Sequence, residues 1–321
     1  MGNPEIFNRI KNGSRFWVAG HIGPDGDTIT SVLLAGRMLE HLGKEYCLFI
    51  ADTIPEKFLF LQGIERISNT RPGFTPDVLI AFDAPNLSRI ALADFDTLYP
   101  EADILNIDHH QSNESFGDLN WLDTSRSAAC LMALDLLRLS GAPFGREEAE
   151  MVFTGLFTET GGFVFPNATG EVFESCAEAV RLGVDTSDIA LRMTARDERN
   201  LALLGEILSS LRVKDGLATI ELTEEMLAKV GLNHEEEDSD SYIRYPTSIP
   251  GIKITIFFRE MSKEGDVRMS FRSLAGIDVN RLASRFGGGG HPAAAGALIH
   301  GQYEQVKKKV ITAAEAYLKE S

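Results

Sequence analysis

The chain has 321 residues, 44% of them apolar and 24% charged. That is enough for two ordinary domains or one large α/β domain, and it excludes both a largely disordered polypeptide and a small cross-linked module. Asp and Glu outnumber Lys and Arg by 47 to 31, a net charge of −16, which argues against tight sequence-independent binding to long anionic nucleic acid but not against a small anion in a local basic pocket.

Short apolar runs at 16–19, 46–50, 78–82 and 104–107, rich in β-branched and aromatic residues, predict buried strands. Between the first two, Ile29, Val32, Leu33, Gly36 and Leu39 recur at helical spacing and Gly43 falls where a helix would end, a βαβ signature. Further helices are expected at 127–139, 146–157 and 172–182. Residues 1–185 thus read as an α/β domain, a mostly parallel open sheet flanked by helices on both faces. Residues 188–212, rich in Leu, Arg and Glu, predict one long amphipathic helix, and 186–212 is taken as a helical linker. A smaller mixed α/β domain is expected over 213–321, with strands at 217–221, 252–258 and 267–271 and helices at 279–286 and 302–318. The acidic run at 235–240 reads as a solvated loop. Cys47, Cys130 and Cys176 form no CxxC pair, so neither a thiolate cage nor a disulfide framework is suggested and a reducing cytoplasm is expected. No stretch approaches the roughly 18 apolar residues of a membrane span.

Polar groups of open α/β sheets collect at the carboxyl ends of strands. Here the first predicted strand runs into HIGPDGD at 21–27, the third ends in Asp83, and the fourth ends in Asp108, His109 and His110. Taken singly, Asp27 or Thr28 reads as a helix cap, His21 as a partly buried histidine and Asp83 as a turn former. A cap needs one acceptor, however, whereas three neighbouring strand ends carry His21, Asp25, Asp27, Asp83, Asp108, His109 and His110. So many carboxylates repel one another unless cations offset the charge. Mixed oxygen and imidazole donors without thiolate suit Mn²⁺, with Mg²⁺, Co²⁺ or Fe²⁺ as substitutes. The surplus of ligands points to two divalent cations roughly 3.5–4 Å apart, an arrangement suited to phosphoester hydrolysis by an activated water.

HIGPDGDTITS at 21–31, FDAPN at 82–86, DHHQSN at 108–113, TGLFTETGGFVF at 154–165 and GGGGHPAAAG at 287–296 resemble, in order and strand context, the motifs of the DHH family of phosphoesterases with its DHH-associated C-terminal domain. The resemblance implies that His21 and Asp25 hold one ion and that Asp27, His109 and Glu159 hold the other, with Asp83 bridging. It further implies that His110 faces substrate phosphate and that Asp108 orients the histidines. Three positions depart from the family pattern: Glu159 stands where Asp is usual, Thr30 where Gly is usual, and DTSRSAACL at 123–131 lacks the usual Pro and Glu. In the second domain Gly288, Gly289 and Gly290 read as a backbone cradle for phosphate. His291, Arg272 and Ser273 are expected to contact the nucleotide.

Within that family the chain looks like the short two-domain branch. The resemblance implies hydrolysis of short oligoribonucleotides to 5′-mononucleotides, or of 3′-phosphoadenosine 5′-phosphate to AMP. It implies a short RNA or nucleotide as partner, neither long duplex DNA nor a membrane, and it admits a homodimer. A cyclic-dinucleotide phosphodiesterase is the alternative within the family, and a nonenzymatic nucleotide-binding regulator, motivated by the three departures, is the alternative outside enzymes.

Overall fold

The computed structural model describes residues 3–320 except 235, 238, 262–264 and 275. The chain forms two compact units, Met1–Ala195 and Arg196–Ser321. In the first unit six strands, β1 (Arg15–Ala19), β2 (Glu45–Phe49), β3 (Ile67–Ser68), β4 (Val78–Phe82), β5 (Asp103–Asp108) and β6 (Leu119–Leu122), make a sheet of order β3-β2-β1-β4-β5-β6 in which every pair is parallel. The order reverses between β1 and β4, and in open α/β sheets the carboxyl ends of the strands at such a switch point are where ligands bind.

Helices α1 (Pro4–Asn12), α2 (Gly26–His41), α3 (Phe95–Leu98), α4 (Ala129–Ser140), α5 (Arg146–Glu159), α6 (Gly170–Arg181) and α7 (Thr186–Thr194) complete this unit. The start of α1 is set by Asn3, whose side chain accepts the N–H groups of Glu5 and Ile6, with Pro4 at the first helical position. Residues Val18, Ile80 and Leu105 of the sheet share one core with Val32 of α2, Leu131 of α4 and Leu156 of α5. The opposite face is covered more thinly. There Trp17, Leu79 and Ala81 lie under Ile90 and Phe95, and the Trp17 ring meets those of Phe95 and Tyr99 edge to face with centroids 5.7 and 4.9 Å apart.

Helix α2 is buried almost all round because it runs between the sheet, α4 and α5. It approaches α5 closely at two places where one partner is glycine. A methyl group on Gly26 would lie 2.2 Å from Thr158 Oγ1, and one on Gly155 would lie 2.4 Å from Thr30 Oγ1 and 2.8 Å from Cys130 Sγ. Thr30 is accommodated because Gly155 faces it, while its own hydroxyl donates to the Gly26 carbonyl at 2.7 Å.

The single helix expected over 188–212 is two. After α7 ends, Ala195 is extended, and α8 (Glu198–Ser209) starts afresh because the Asp197 side chain accepts the Asn200 N–H. The segment then enters β7 (Arg212–Lys214) rather than continuing as helix. The second unit adds β8 (Leu217–Leu222), α9 (Glu224–Val230), α10 (Arg244–Thr247), β9 (Ile254–Glu260), β10 (Asp266–Ser273), α11 (Val279–Ser284), β11 (Gly289–His291), β12 (Ala294–His300) and α12 (Tyr303–Glu320). Its mixed sheet has the order β11-β12-β10-β9-β8-β7, with β8 and β9 parallel and the other neighbours antiparallel. Val279, Leu282, Val310 and Ala314 of α11 and α12 pack on one face, and Leu203, Ile207 and Leu227 of α8 and α9 pack on the other. In the acidic run at 235–240, residues 235 and 238 lie outside the described residues. Among the described residues no helix is long and apolar enough to cross a membrane.

The crossing of α2 and α5 yields a first prediction. Gly155→Ala is expected to destabilise the protein by about 1–3 kcal/mol through overpacking, and Thr30→Ala in the same chain is expected to recover part of the loss. Urea unfolding of the single and double variants measures both; additive effects would show that the two positions do not meet.

Candidate metal centre

His21, Asp25, Asp27, Asp83, Asp108, His109, His110 and Glu159 converge at the crevice of the first sheet. Among the described residues they form three overlapping groups: Asp83 with Asp108, His109 and His110; His21 with Asp25 and Asp83; and Asp27 with His109 and Glu159. Within each group the donor atoms lie within 4.8 Å of one another. Chain geometry explains the convergence. The turn after β1 supplies His21 and Asp25, the first turn of α2 supplies Asp27, the end of β4 supplies Asp83, the end of β5 supplies Asp108 to His110, and the last residue of α5 supplies Glu159.

Asp83 is the hub. Its backbone has φ 57°, a left-handed conformation that Asp tolerates better than most residues, and this turns the chain sharply at the end of β4. Its Oδ2 lies 3.5 Å from His21 Nε2, and its Oδ1 lies 3.5 Å from His109 Nε2 and 3.3 Å from His110 Nδ1. His109 Nε2 also lies 3.6 Å from Asp27 Oδ2 and 4.0 Å from Glu159 Oε1, while His21 Nε2 is 3.9 Å from Asp25 Oδ1.

Capping is distributed differently from the sequence expectation. Asp25 is the N-cap of α2, accepting the Thr28 N–H at 3.0 Å. Asp27 sits inside the helix and instead accepts the N–H groups of Ala129 and Cys130, each at 2.7 Å, so it closes the amino end of α4. The Thr28 hydroxyl donates to Asp83 Oδ2 at 2.6 Å.

The histidine rings are held by their far nitrogens. His21 Nδ1 meets the Ile22 carbonyl at 2.9 Å, and His109 Nδ1 meets the Arg126 carbonyl at 3.3 Å, so each ring donates from Nδ1 and presents Nε2 to the carboxylates. His110 is turned by Asp108, whose Oδ1 lies 2.8 Å from its Nδ1 and also accepts both the His109 and His110 N–H groups. The other Asp108 oxygen accepts from Asn113 Nδ2 at 2.7 Å, and the same amide reaches the Ala84 carbonyl at 2.9 Å, tying the β4 and β5 ends together. Asn113 lies within DHHQSN and was open to discovery there. Arg126, in the DTSRSAACL segment, and Asn167 brace the centre from loops, and neither was among the expected site residues.

In the second unit the sheet register places residues 272, 294 and 291 in one row across β10, β12 and β11. The Ser273 hydroxyl donates to the Ile277 carbonyl, holding the loop before α11. The glycine run enters a closely packed hairpin strand, β11. A methyl on Gly288 would lie 2.1 Å from the Gly296 carbonyl oxygen, and one on Gly290, at φ 150°, would lie 2.5 Å from that of Ala294. Gly289 has more room, its nearest neighbour being Asn280 Oδ1 at 3.8 Å. The side chain of His291 lies outside the described residues.

Residues 15–156 match the model of the DHH family, N-terminal domain, and residues 204–320 match that of the DHHA1 domain. The chain is 35% identical over 302 residues to the bifunctional oligoribonuclease and PAP phosphatase NrnA of Thermus thermophilus, spanning 92% of this chain and 88% of that protein. The chain belongs to the DHH family. The protein of the same name from Bacillus subtilis is 28% identical over 286 residues, 87% of this chain and 88% of its own. The crystal structure of an exopolyphosphatase-related protein from Bacteroides fragilis superposes with a TM-score of 0.87 at 25% identity, covering 99% of this chain and 96% of the other.

The DHH centre fits divalent cations on its own chemistry. Asp83 Oδ1 and His109 Nε2 are buried and find no hydrogen-bond partner among the described residues, a costly state for such groups unless a cation satisfies them. The charges are unbalanced in the same sense. Burial, followed by the charge of neighbouring carboxylates, pushes Asp27 up to about 7 and Glu159 up to about 9, and raises Asp25. Burial opposes charging of His21 and His109, but Asp83 and the other acids outweigh it and hold them at about 9 and about 10. Asp83 lies well below the usual carboxylate range: burial works against its charge, and His109, His21 and His110 overcome it. Protons thus stand in part where cations would.

In the metal-free chain the folded state retains protons that the unfolded chain releases, on the acids above about pH 4 and on the histidines above about pH 6.5. The stability these groups contribute therefore falls as pH rises, through about 7 and 9 for Asp27 and Glu159 and through about 9 and 10 for His21 and His109. Asp83 has the opposite sign, and its contribution is lost as pH falls through and below the carboxylate range. Divalent ions compete with the retained protons, so uptake is expected to release protons and to tighten as pH rises from about 6 to about 9. Calorimetric titration in two buffers of different ionisation enthalpy reads the release; binding without proton release would count against the shared role.

Proposed function

We propose that the chain is a metal-dependent DHH phosphoesterase that hydrolyses short oligoribonucleotides to 5′-mononucleotides and 3′-phosphoadenosine 5′-phosphate to AMP. The substrate classes rest on the similarity to relatives named bifunctional oligoribonuclease and PAP phosphatase, which extends over about nine-tenths of both chains for the Thermus thermophilus protein. The chemistry rests on one observation above the others: a single buried carboxylate, Asp83, presents one oxygen to His21 and the other to His109 and His110.

In this reading His21 and Asp25 hold one ion, Asp27, His109 and Glu159 hold the second, and Asp83 bridges them. Manganese is the ion of first choice for such an oxygen and imidazole set, with magnesium, cobalt or ferrous iron as substitutes. When bound, two such ions supply positive charge to the phosphoryl oxygens and acidify the attacking water. The residues themselves bind and orient. Asp108 fixes the His110 ring and favours its charged form, so the half-exposed imidazole can donate to a phosphoryl oxygen of the substrate. The Thr28 hydroxyl donates to Oδ2 of the hub carboxylate and limits its rotation. In the second unit Arg272 and Ser273, Gly288, Gly289, Gly290 and His291 form the nucleotide-binding part of the proposal.

Asp83→Asn keeps the side-chain shape and the tolerance for positive φ but removes the bridging charge. It is expected to lower turnover of a dinucleotide and of 3′-phosphoadenosine 5′-phosphate by more than about a hundredfold, with far-ultraviolet dichroism unchanged. The assay is release of mononucleotide or inorganic phosphate by protein stripped of metal and reloaded with Mn²⁺. Undiminished turnover in the variant would refute the bridging role, and wild-type inactivity on both substrates would refute the substrate assignment.

A further inference from the structure

We infer that Arg126 is a positioning residue for one ion of the proposed pair, acting through the backbone that follows it; this rests on the two-ion reading above. The segment 126–130 reaches every member of the Asp27, His109 and Glu159 group. The Arg126 carbonyl accepts from His109 Nδ1 at 3.3 Å. The N–H groups of Ala129 and Cys130 donate to the two oxygens of Asp27 at 2.7 Å. The Ser127 carbonyl and the Glu159 carbonyl are both 3.3 Å from Asn167 Nδ2, so one amide ties the segment to the end of α5. Among the described residues no hydrogen bond joins this segment to His21, Asp25 or Asp83.

The guanidinium at its start is one anchor of the segment, beside the Ser127 hydroxyl, which meets Thr169 Oγ1 at 3.0 Å, and α4 itself, which begins at Ala129. Arg126 Nη1 lies 3.1 Å from Asp135 Oδ2 on α4, and Nη2 lies 3.3 Å from Glu171 Oε1 on α6, with only 11% of the arginine side chain exposed. Asp135 is nearly as well covered, at 16%. The covered Arg126–Asp135 pair is less screened than a surface pair, the Glu171 contact, at a carboxylate 44% exposed, adds less, and a planar fork that meets two acids on two helices sets direction as well as distance. The backbone that orients His109 and seats Asp27 therefore inherits its place from α4 and α6. A carbonyl behind a metal-binding imidazole selects the nitrogen it presents, and disturbing such support typically weakens metal binding about 10- to 100-fold.

The inference separates the two ions, and that is how it is tested. Metal-stripped full-length protein is titrated with Mn²⁺ while free Mn²⁺ is read by electron paramagnetic resonance, well below the unfolding midpoint of each variant. In Arg126→Gln one ion is expected to bind as in wild type and the other about tenfold or more weakly; Arg126→Lys, a point charge without the fork, is expected to fall between. A purely structural role would lower the unfolding midpoint and leave both affinities alone. Equal affinities, or equal weakening of both ions, would overturn the inference. If Arg126→Gln does not fold, Glu171→Gln removes one anchor at a half-exposed carboxylate and is expected to weaken the same ion in lesser degree; no change there would also overturn it.

A second readout needs no metal. With ¹⁵N-labelled histidine, the His109 Nδ1–H of metal-free protein is expected to exchange with solvent several-fold faster in Arg126→Gln than in wild type. Equal exchange overturns the inference, whereas absence of Mn²⁺ uptake by wild type would overturn the two-ion reading on which it rests.

Discussion

Carboxylates from the β1–α2 turn, the first turn of α2, the end of β4 and the end of α5 are held against one another in a largely dry crevice, and their mutual repulsion is the constraint to which the rest of the first unit answers. Imidazoles are interleaved with the acids, and three rings around Asp83, with the Thr28 hydroxyl on its Oδ2, favour its ionised form against the cost of burial. Asp27 and Glu159 lack comparable cover and keep their protons to higher pH. The arrangement is poor economy for a structural ion-pair network, in which buried charges are matched singly and fully hydrogen-bonded. It makes sense as a receptacle for external positive charge, and the backbone follows suit in the left-handed turn at Asp83, the short approach of α2 to α5, and the carbonyls set behind His21 and His109.

Most of the first sheet was legible because its strands are buried on both faces and therefore read as continuous apolar runs. β4, the strand that carries Asp83, falls at 78–82 in both readings. The two short strands β3 and β6 were not visible, since two and four partly exposed residues leave no run to detect. In the second unit β12 is mostly Ala and Gly with a single β-branched residue, Ile299, and β11 is mostly glycine. Their strand state comes from pairing with β10 and with each other, which local propensity does not encode. The break between α7 and α8 was hidden for a different reason: 192–200 holds neither Gly nor Pro to mark a helix end, and Asp197 acts as a cap only once the chain has turned.

Within the centre, the ligand types were legible from three strand ends, but the supports were not. Asn113 sits in a motif, yet its role is to join the Ala84 carbonyl to Asp108, two points 24 residues apart in sequence and in different strand ends. The departures at Thr30 and Glu159 also look different in three dimensions. Thr30 meets a glycine on α5, so the extra bulk is absorbed at that crossing. Glu159 is the last residue of α5 and still brings Oε1 to within 4.0 Å of His109.

The two hydrogen bonds from α4 to Asp27 carry an entropic consequence. An acid pinned by a pair of peptide amides cannot swing away when nothing is coordinated, so little side-chain freedom is left to be lost on capture. The same amides, lying at the positive end of a helix dipole, take up part of the acid's negative charge and temper its basicity. On the proposed two-ion reading, capture would be a matter of exchanging protons and shedding hydration rather than of remodelling the pocket, and the scaffold would meet its ion already assembled.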